Sequence, residues 1–337
     1  MQTLHTLIPP SNLAAVENAL LQTFNTTAVK EIVLLAGGLS ASTVFKIVVN
    51  DQDYVLKIDS PTEFIDDQLL SCMEIAAEAG IAPPVYYLNK AACITITGFI
   101  KNTSLQAAFK SPDVLLPELV KTIKHIHELP AFPTENSLVN TIDGLIAQFR
   151  VSRMLTGPVF DECFAYYDEI RKHYPWDDTD KVLSHNDLNP NNIIFDGEKI
   201  WIIDWDAAFK NDRYVDLAIT ANFFVANDEH ENIFLETYFG NSLTNYHRAR
   251  FFLMRQICRL VYAMLMFKLA HTSNRSGIGD DPDMRNISMK DIKEKLGAGK
   301  LSLASYEGQL LFGKALINEA LNNMQSPRFA TSIGQFV

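Results

Sequence analysis

The feature that most constrains this chain is a polar run that opens an apolar hairpin. Ser184-His185-Asn186-Asp187-Leu188-Asn189-Pro190-Asn191-Asn192 leads into Ile193-Ile194-Phe195; a turn at Asp196-Gly197, the stretch Ile200 to Ile203 and Asp204-Trp205-Asp206 follow. Short apolar, β-branched runs bounded by turn residues read as strands. One Asp or Asn in such a place is ordinarily a turn former, but turns do not account for a whole set of carboxylates and amides at both ends of one hairpin. Folding the hairpin carries Asp187 and Asn192, on the loop entering the first strand, toward Asp204 at the exit of the second. A carboxylate, an amide oxygen and a second carboxylate are hard oxygen ligands suited to Mg²⁺. One carboxylate is then left to orient and deprotonate a hydroxyl.

The surrounding periodicity changes character along the chain. Before residue 100, strands are expected at Val29 to Leu35, Thr43 to Val49, Tyr54 to Ile58, Val85 to Leu88 and Cys93 to Ile100. The second and third are joined by a turn at Asn50 to Asp53, and helices are expected over Ser11 to Phe24 and Phe64 to Ala79, the latter closed by Gly80. Beyond it, Val114 to Glu128, Thr141 to Arg150, Phe160 to His173, Ile233 to Tyr238, Tyr246 to Leu269 and Leu303 to Met324 have helical spacing. The expectation is an α+β protein: a small antiparallel sheet with helices over residues 1–100 and a larger, mainly helical region over 101–337 that carries the hairpin and the substrate site. Ser273 to Asp283 reads as a long polar loop facing substrate.

Composition narrows the partners. A net charge of −11 argues against gripping a nucleic-acid backbone and favours a cationic small substrate. The four cysteines are far apart, without metal-ligand spacing, and the first five residues do not read as a secretory signal. Both facts point to the cytoplasm. The most apolar stretch, Phe251 to Ala270, is interrupted by Arg255, Arg259 and Lys268. It reads as a core helix with its cations on one edge, not as a membrane span.

His185-x-Asp187-x₄-Asn192 followed by Ile203-Asp204-Trp205-Asp206 resembles the signature of the aminoglycoside phosphotransferase and choline kinase families, small-molecule relatives of the protein kinases. The resemblance covers roughly residues 30 to 225. It implies a bilobal, protein-kinase-like fold and transfer of a phosphoryl group from ATP, with Mg²⁺, to a small-molecule alcohol. It further implies Asp187 as catalytic base, Asn192 and Asp204 as metal ligands, and a substrate or accessory role for Asp206 and for Asn189. His185 would pack and hydrogen-bond at the site. Asp216, in Asp216-Leu217-Ala218, would brace the catalytic loop.

Other segments fit the same reading. A lysine inside an apolar strand, as in Tyr54-Val55-Leu56-Lys57-Ile58, is rarely buried without a partner; the resemblance places Lys57 on the nucleotide phosphates. Gly37, Gly38 and Ser40 lie in a loop like the Gly-Gly-Leu-Ser/Thr loop of choline-kinase-like enzymes, where backbone amides approach phosphates. Gly98 and Ile100 fall on the expected hinge, whose backbone would meet the adenine edge. The acid that usually pairs with the lysine is poorly matched: Asp66, Asp67 and Glu74 are available, and Glu74 is the expected partner. Phe223, Phe224, Tyr238 and Tyr262 are aromatics that could cage a choline- or ethanolamine-like cation, an amino sugar being the other acceptor considered. Gly297 to Ser302 superficially resembles a P-loop but lacks its first glycine and a preceding strand, so a helix-ending loop is expected. The chain has neither G-x-G-x-x-G nor Asp-Phe-Gly, which argues against a protein kinase. A catalytically weak, nucleotide-binding regulatory pseudokinase is the alternative.

Overall fold

The computed structural model describes residues 4–35, 42–60, 67–130, 136–177, 181–273, 283–284 and 287–337, and of residues 67–71 the backbone alone. Most of the polar segment from Ser273 to Asp283 lies outside the described residues. The chain separates into two compact units, Met1–Phe132 with Asp187–Phe209, and Pro133–Asn186 with Lys210–Val337.

The first unit is built on an antiparallel sheet of order β1-β2-β3-β5-β4. Its strands are β1 (Glu31–Leu34), β2 (Thr43–Val49), β3 (Gln52–Ile58), β4 (Val85–Asn89) and β5 (Ile94–Gly98). Between β2 and β3 the chain turns through Asn50 and Asp51 alone, at φ 51° and 61°. Two left-handed residues match the twist of the strands they join, and Asn and Asp tolerate that region. Alternate residues of β2 and β3 (Phe45, Ile47, Val49, Tyr54, Leu56 and Ile58) point into one core with Val16, Ala19 and Leu20. Those three come from α2 (Pro10–Phe24), which follows the single turn α1 (Leu4–Leu7). Truncating a fully buried leucine such as Leu56 would cost about 2–5 kcal/mol.

Helix α3 (Asp67–Glu78) ends at Gly80, where φ is +70°. The Gly80 amide donates to the Ala77 carbonyl and the Ile81 amide to the Ala76 carbonyl, the closing pattern that favours glycine. After β5 come the short α4 (Leu105–Ala108) and α5 (Pro112–His127).

The first unit also takes in the polar run's hairpin. Strands β7 (Ile193–Phe195) and β8 (Ile200–Ile202) pair antiparallel with Ile193 opposite Ile202. The Ile202 amide donates to the Ile81 carbonyl, Thr103 to the Phe195 carbonyl and Phe195 to Asn102 Oδ1. These bonds tie the hairpin to Ile81, Asn102 and Thr103 of the first unit.

The second unit is mainly helical. It contains α6 (Leu138–Ser152), α7 (Pro158–His173), α8 (Tyr214–Phe224), α9 (Asp228–Phe239), α10 (Asn245–Ser273), α11 (Met289–Gly297), α12 (Tyr306–Met324) and α13 (Pro327–Ile333). A small two-stranded sheet joins β6 (Lys181–Ser184) to β9 (Phe209–Asp212). Helices α10 and α12 pack so closely that a Cβ at Gly313 would come within 2.6 Å of the Phe267 ring.

Of the three cations expected on one edge of α10, Lys268 is exposed, whereas Arg255 and Arg259, one turn apart, go inside. Arg250 lies over the rings of Tyr214 and Tyr174 and pairs with Asp212 at 2.7 Å. Arg255 pairs with Glu231 at 3.2 Å, and Arg259 with Glu319 at 3.0 Å. Carboxylates on neighbouring helices let these guanidiniums go inside, a pairing across about 24 and 60 residues of chain that helical periodicity does not register. Gly297 ends α11 and Gly299 adopts φ +66°, so the P-loop lookalike is the expected helix-ending loop. Among the described residues, no helix is long and apolar enough to cross a membrane.

Candidate active site

Lys57 sits between Leu56 and Ile58 on β3, on the face opposite their core side. Its ammonium reaches three carboxylates: Asp206, in close contact, Asp59 at 3.3 Å and Asp204 at 3.7 Å. Burial alone pushes this ammonium's pKa down. The attraction of Asp206, Asp204 and Asp59, with the hydrogen bond to Asp206, more than offsets that cost and raises it above the ordinary lysine value. Lys57 therefore stays charged at any physiological pH. Glu74 is not its partner: it lies on a surface groove with Ala77, Glu78 and the β4 residues Val85 to Leu88. The partners instead come from the residue two past Lys57 and from the segment that leaves the β7–β8 hairpin, brought in by tertiary folding. Asp66 and the side chain of Asp67 lie outside the described residues, as do Gly37, Gly38 and Ser40.

The Asp204-Trp205-Asp206 segment is shaped by its tryptophan. Trp205 is buried and its indole N–H donates to the Ile202 carbonyl at 3.0 Å, anchoring one turn of 3₁₀-helix (Trp205–Ala207). With the ring turned inward, the flanking carboxylates turn toward Lys57. Asp204 adopts φ 62°, ψ 67°, a left-handed conformation that costs a non-glycine residue roughly 1–2 kcal/mol. Strained backbone of this kind concentrates at functional sites.

At the same open end of the hairpin, on the loop entering β7, the Asn192 side-chain N–H₂ donates to the Asp187 carbonyl at 2.8 Å and to Asp187 Oδ2 at 3.1 Å. That orientation turns the amide oxygen of Asn192 away from Asp187. The Ile203 amide donates to the Asn192 carbonyl at 3.0 Å, so the register seats Asn192 beside the residue preceding Asp204. Asn189 caps the 3₁₀ turn Pro190–Asn192, its Oδ1 accepting from the Asn191 amide at 2.9 Å.

The residues just before Asp187 are held within the second unit. The fully buried Asp216, in the first turn of α8, accepts from the amides of His185 at 2.8 Å and Asn186 at 2.7 Å. His185 is itself fully buried. Asn186 is left-handed, φ 63°; its side chain donates to the Ser184 carbonyl and accepts from Asn211 Nδ2 at 2.8 Å. Sequence reasoning missed Asp59, Asn186 and Asn211. The only local signal for Asp59 was its place two residues after the lysine, on the same side of an extended chain.

On β5, the Gly98 amide donates to the Pro84 carbonyl at 2.9 Å, and a Cβ there would stand 3.3 Å from the Pro84 ring. Ile100 follows the strand, half-buried. Among the described residues, no group of three or more His, Cys, Asp or Glu side chains is arranged to hold a metal ion. The donor set at the hairpin is of another kind: an amide oxygen from Asn192 with carboxylates from Asp204 and Asp206. Three carboxylates around a single ammonium leave an excess of two negative charges, and hard oxygen donors with that excess fit Mg²⁺.

Comparison with known proteins gives the arrangement a family. A crystal structure of a choline/ethanolamine kinase family protein from Mesorhizobium loti superimposes with TM-score 0.65 at 17% identity, covering 96% of this chain and 98% of that one. An ethanolamine kinase from Plasmodium vivax gives 0.62 at 16%, covering 97% and 86%. A spectinomycin phosphotransferase in complex with ADP and spectinomycin gives 0.60 at 14%, covering 93% and 98%. These likenesses bear out the expected α+β, protein-kinase-like fold. Among curated sequences, an uncharacterized protein of Metamycoplasma hominis is 40% identical over 55 residues, which span 16% of this chain and 11% of that protein. The family model described as the phosphotransferase enzyme family matches residues 31–252, from the first strand through the hairpin and into α10. The chain therefore belongs to the phosphotransferase enzyme family.

Proposed function

We propose that this phosphotransferase uses ATP and Mg²⁺ to phosphorylate a hydroxyl of a small molecule, with Asp187 as base. The observation that carries the reading is the convergence in one compact unit of Lys57 with Asp204 and Asp206, at the exit of the hairpin whose entering loop pairs Asp187 with Asn192. Lys57, charged and anchored in a rigid strand, binds the nucleotide phosphates; Gly37, Gly38 and Ser40 cover them, and the backbone at Gly98 and Ile100 meets the base. Asn192 and Asp204 would hold Mg²⁺, with Asp206 as accessory carboxylate. When bound, the metal supplies charge neutralisation on the transferring phosphoryl group. Asn189 shapes the loop by capping its turn, and Asp216 and His185 hold the preceding backbone.

In the reaction the acceptor oxygen forms a bond to the γ-phosphorus, the bond from that phosphorus to the bridging oxygen breaks, ADP leaves, and the hydroxyl proton passes to the Asp187 carboxylate. The Asn192 amide donates to Asp187 Oδ2 and so orients the carboxylate that takes the proton. Catalysis is then positioning and electrostatics on a preorganised frame. The regulatory alternative rested on the missing lysine partner, and Asp59, Asp204 and Asp206 fill that gap. The decisive test measures acceptor-stimulated ADP release in the wild type and Asp187→Asn, together with a Mg²⁺-dependent thermal shift by ATP. Stimulation abolished in the variant while the shift persists supports the reading; no ATP-induced shift in either protein refutes it.

A further inference from the structure

Of the three carboxylates around Lys57, Asp59 is placed unlike the other two. Asp204 and Asp206 come from the segment that leaves β8, and their side chains are exposed. Asp59 stands two residues past Lys57, just beyond the end of β3, and its side chain is only 11% exposed. Residues two apart on an extended chain share a side, so the strand itself sets the 3.3 Å approach of Asp59 Oδ1 to the Lys57 ammonium. The Asp59 amide donates to the Cys93 carbonyl at 2.9 Å, which pins this backbone beside the start of β5.

The same Oδ1 accepts a hydrogen bond from Ser42 Oγ at 2.7 Å. In the β2–β3 ladder Thr43 lies opposite Ile58, so Ser42 faces Asp59 one step further along. Ser42 is also the residue through which the segment carrying Gly37, Gly38 and Ser40 enters β2. One carboxylate oxygen thus joins the lysine to the foot of that segment. Ser42, Lys57, Asp59, Asp204 and Asp206 all belong to the first compact unit.

We propose that Asp59 is a positioning residue for nucleotide binding: it keeps Lys57 in place for the phosphates when Asp204 and Asp206 are drawn to Mg²⁺, and through Ser42 it fixes the lysine relative to the glycine segment. The inference rests on the phosphotransferase reading above and adds a residue to its site. The cause is charge. A carboxylate that coordinates a dication has less attraction left for an ammonium, and the dication repels that ammonium. Asp204 and Asp206 are therefore the partners that Lys57 loses on loading. Asp59 is held by β3 and Ser42, independently of that event, and it takes the duty expected of Glu74. The sign of one substitution separates this role from mere proximity. A carboxylate that only stood near bound phosphates would repel them, and neutralising it would tighten nucleotide binding. Removing a carboxylate that holds the lysine weakens it.

The test measures the Kd of ATP with Mg²⁺ by calorimetry, the Mg²⁺ dependence of the ATP-induced thermal shift, and urea unfolding as a check of folding. The single variants are Asp59→Asn, Ser42→Ala, Lys57→Met, Asp66→Asn, Asp67→Asn and Glu74→Gln; Asp59→Asn is also combined with Ser42→Ala and with Lys57→Met. Asp59→Asn should raise the Kd roughly ten- to hundredfold, the loss expected for an interaction between charged groups. It should also raise the Mg²⁺ concentration that gives half of the thermal shift, because Lys57 then rests on Asp204 and Asp206 alone. Ser42→Ala, which leaves every charge in place and carries the test if Asp59→Asn fails to fold, should raise the Kd roughly two- to tenfold. It should add nothing once Asp59→Asn is present, and Asp59→Asn should no longer weaken binding in the Lys57→Met background. Glu74→Gln should match the wild type. A Kd left unchanged or lowered by Asp59→Asn overturns the proposal. So does an equal loss with and without Lys57, or a loss confined to Asp66→Asn or Asp67→Asn. A wild type that binds no ATP in the presence of Mg²⁺ refutes the phosphotransferase reading and this inference with it, whereas ATP binding that persists unchanged in Asp59→Asn removes Asp59 alone.

Discussion

The two charged clusters of this protein are built to opposite sums. Around Lys57 three carboxylates face one ammonium; around Arg259 four cations face two carboxylates. They also differ in their access to water. The side chains of Asp204 and Asp206 are 42% and 56% exposed, whereas those of Arg255 and Arg259 are 13% and 4% exposed. Water screens the excess negative charge on Asp204 and Asp206. In the second cluster, the buried Arg255 and Arg259 are each paired with a carboxylate, because an uncompensated buried charge is far more costly than an exposed one, while Lys293 and Arg328 reach water. A net charge of −11 for the whole chain foretells neither local balance.

The contrast can be sharpened by breaking each cluster in turn. The largest effect should come from Asp187→Asn, which removes the base without adding charge: kcat should fall about 10²–10⁴-fold while Mg²⁺-ATP binding persists. Turnover near the wild-type rate would place the base elsewhere. Next is Glu231→Gln. With Arg255 and Arg328 both deprived of their carboxylate, urea unfolding should show a loss of about 3–5 kcal/mol. A loss under 1 kcal/mol would mean that water already screens this cluster, and the contrast would collapse. Gly313→Ala should cost about 1–3 kcal/mol by the same measurement, because a methyl group there must displace the buried Phe267 ring that packs α10 against α12. The smallest change in stability belongs to the exposed side of the comparison. Asp206→Asn should move unfolding by roughly 1 kcal/mol or less, because its pair with Lys57 is largely screened, while raising KM for ATP-Mg²⁺.

Much of the first unit was legible in the sequence because its signals are local. The limits of β2 were read correctly, since alternation of apolar residues over Thr43–Val49 and a turn at Asn50-Asp51 leave little freedom. The β7–β8 hairpin was legible for the same reason. Helix α8 was read as a motif and not as a helix. Every residue from Tyr214 to Ala221 is buried, so no polar face exists to produce an amphipathic period. Strands β6 and β9 are short, and their pairing spans a long stretch of intervening chain, so neither carries a local signal.

The sequence alone determined the chemistry available: a lysine in an apolar strand, a polar run ahead of a hairpin, and paired carboxylates after it. Those identities and spacings are fixed along the chain, and short-range sterics convert them directly into strands and turns. Only the tertiary structure decided partnership. It gave Lys57 to Asp59, Asp204 and Asp206 in place of Glu74, and joined Asn211 to Asn186. It also drew Arg255 and Arg259 inward onto Glu231 and Glu319. Charge interactions act through space between residues that packing brings together, and the linear order of the chain does not encode which of several available acids will arrive.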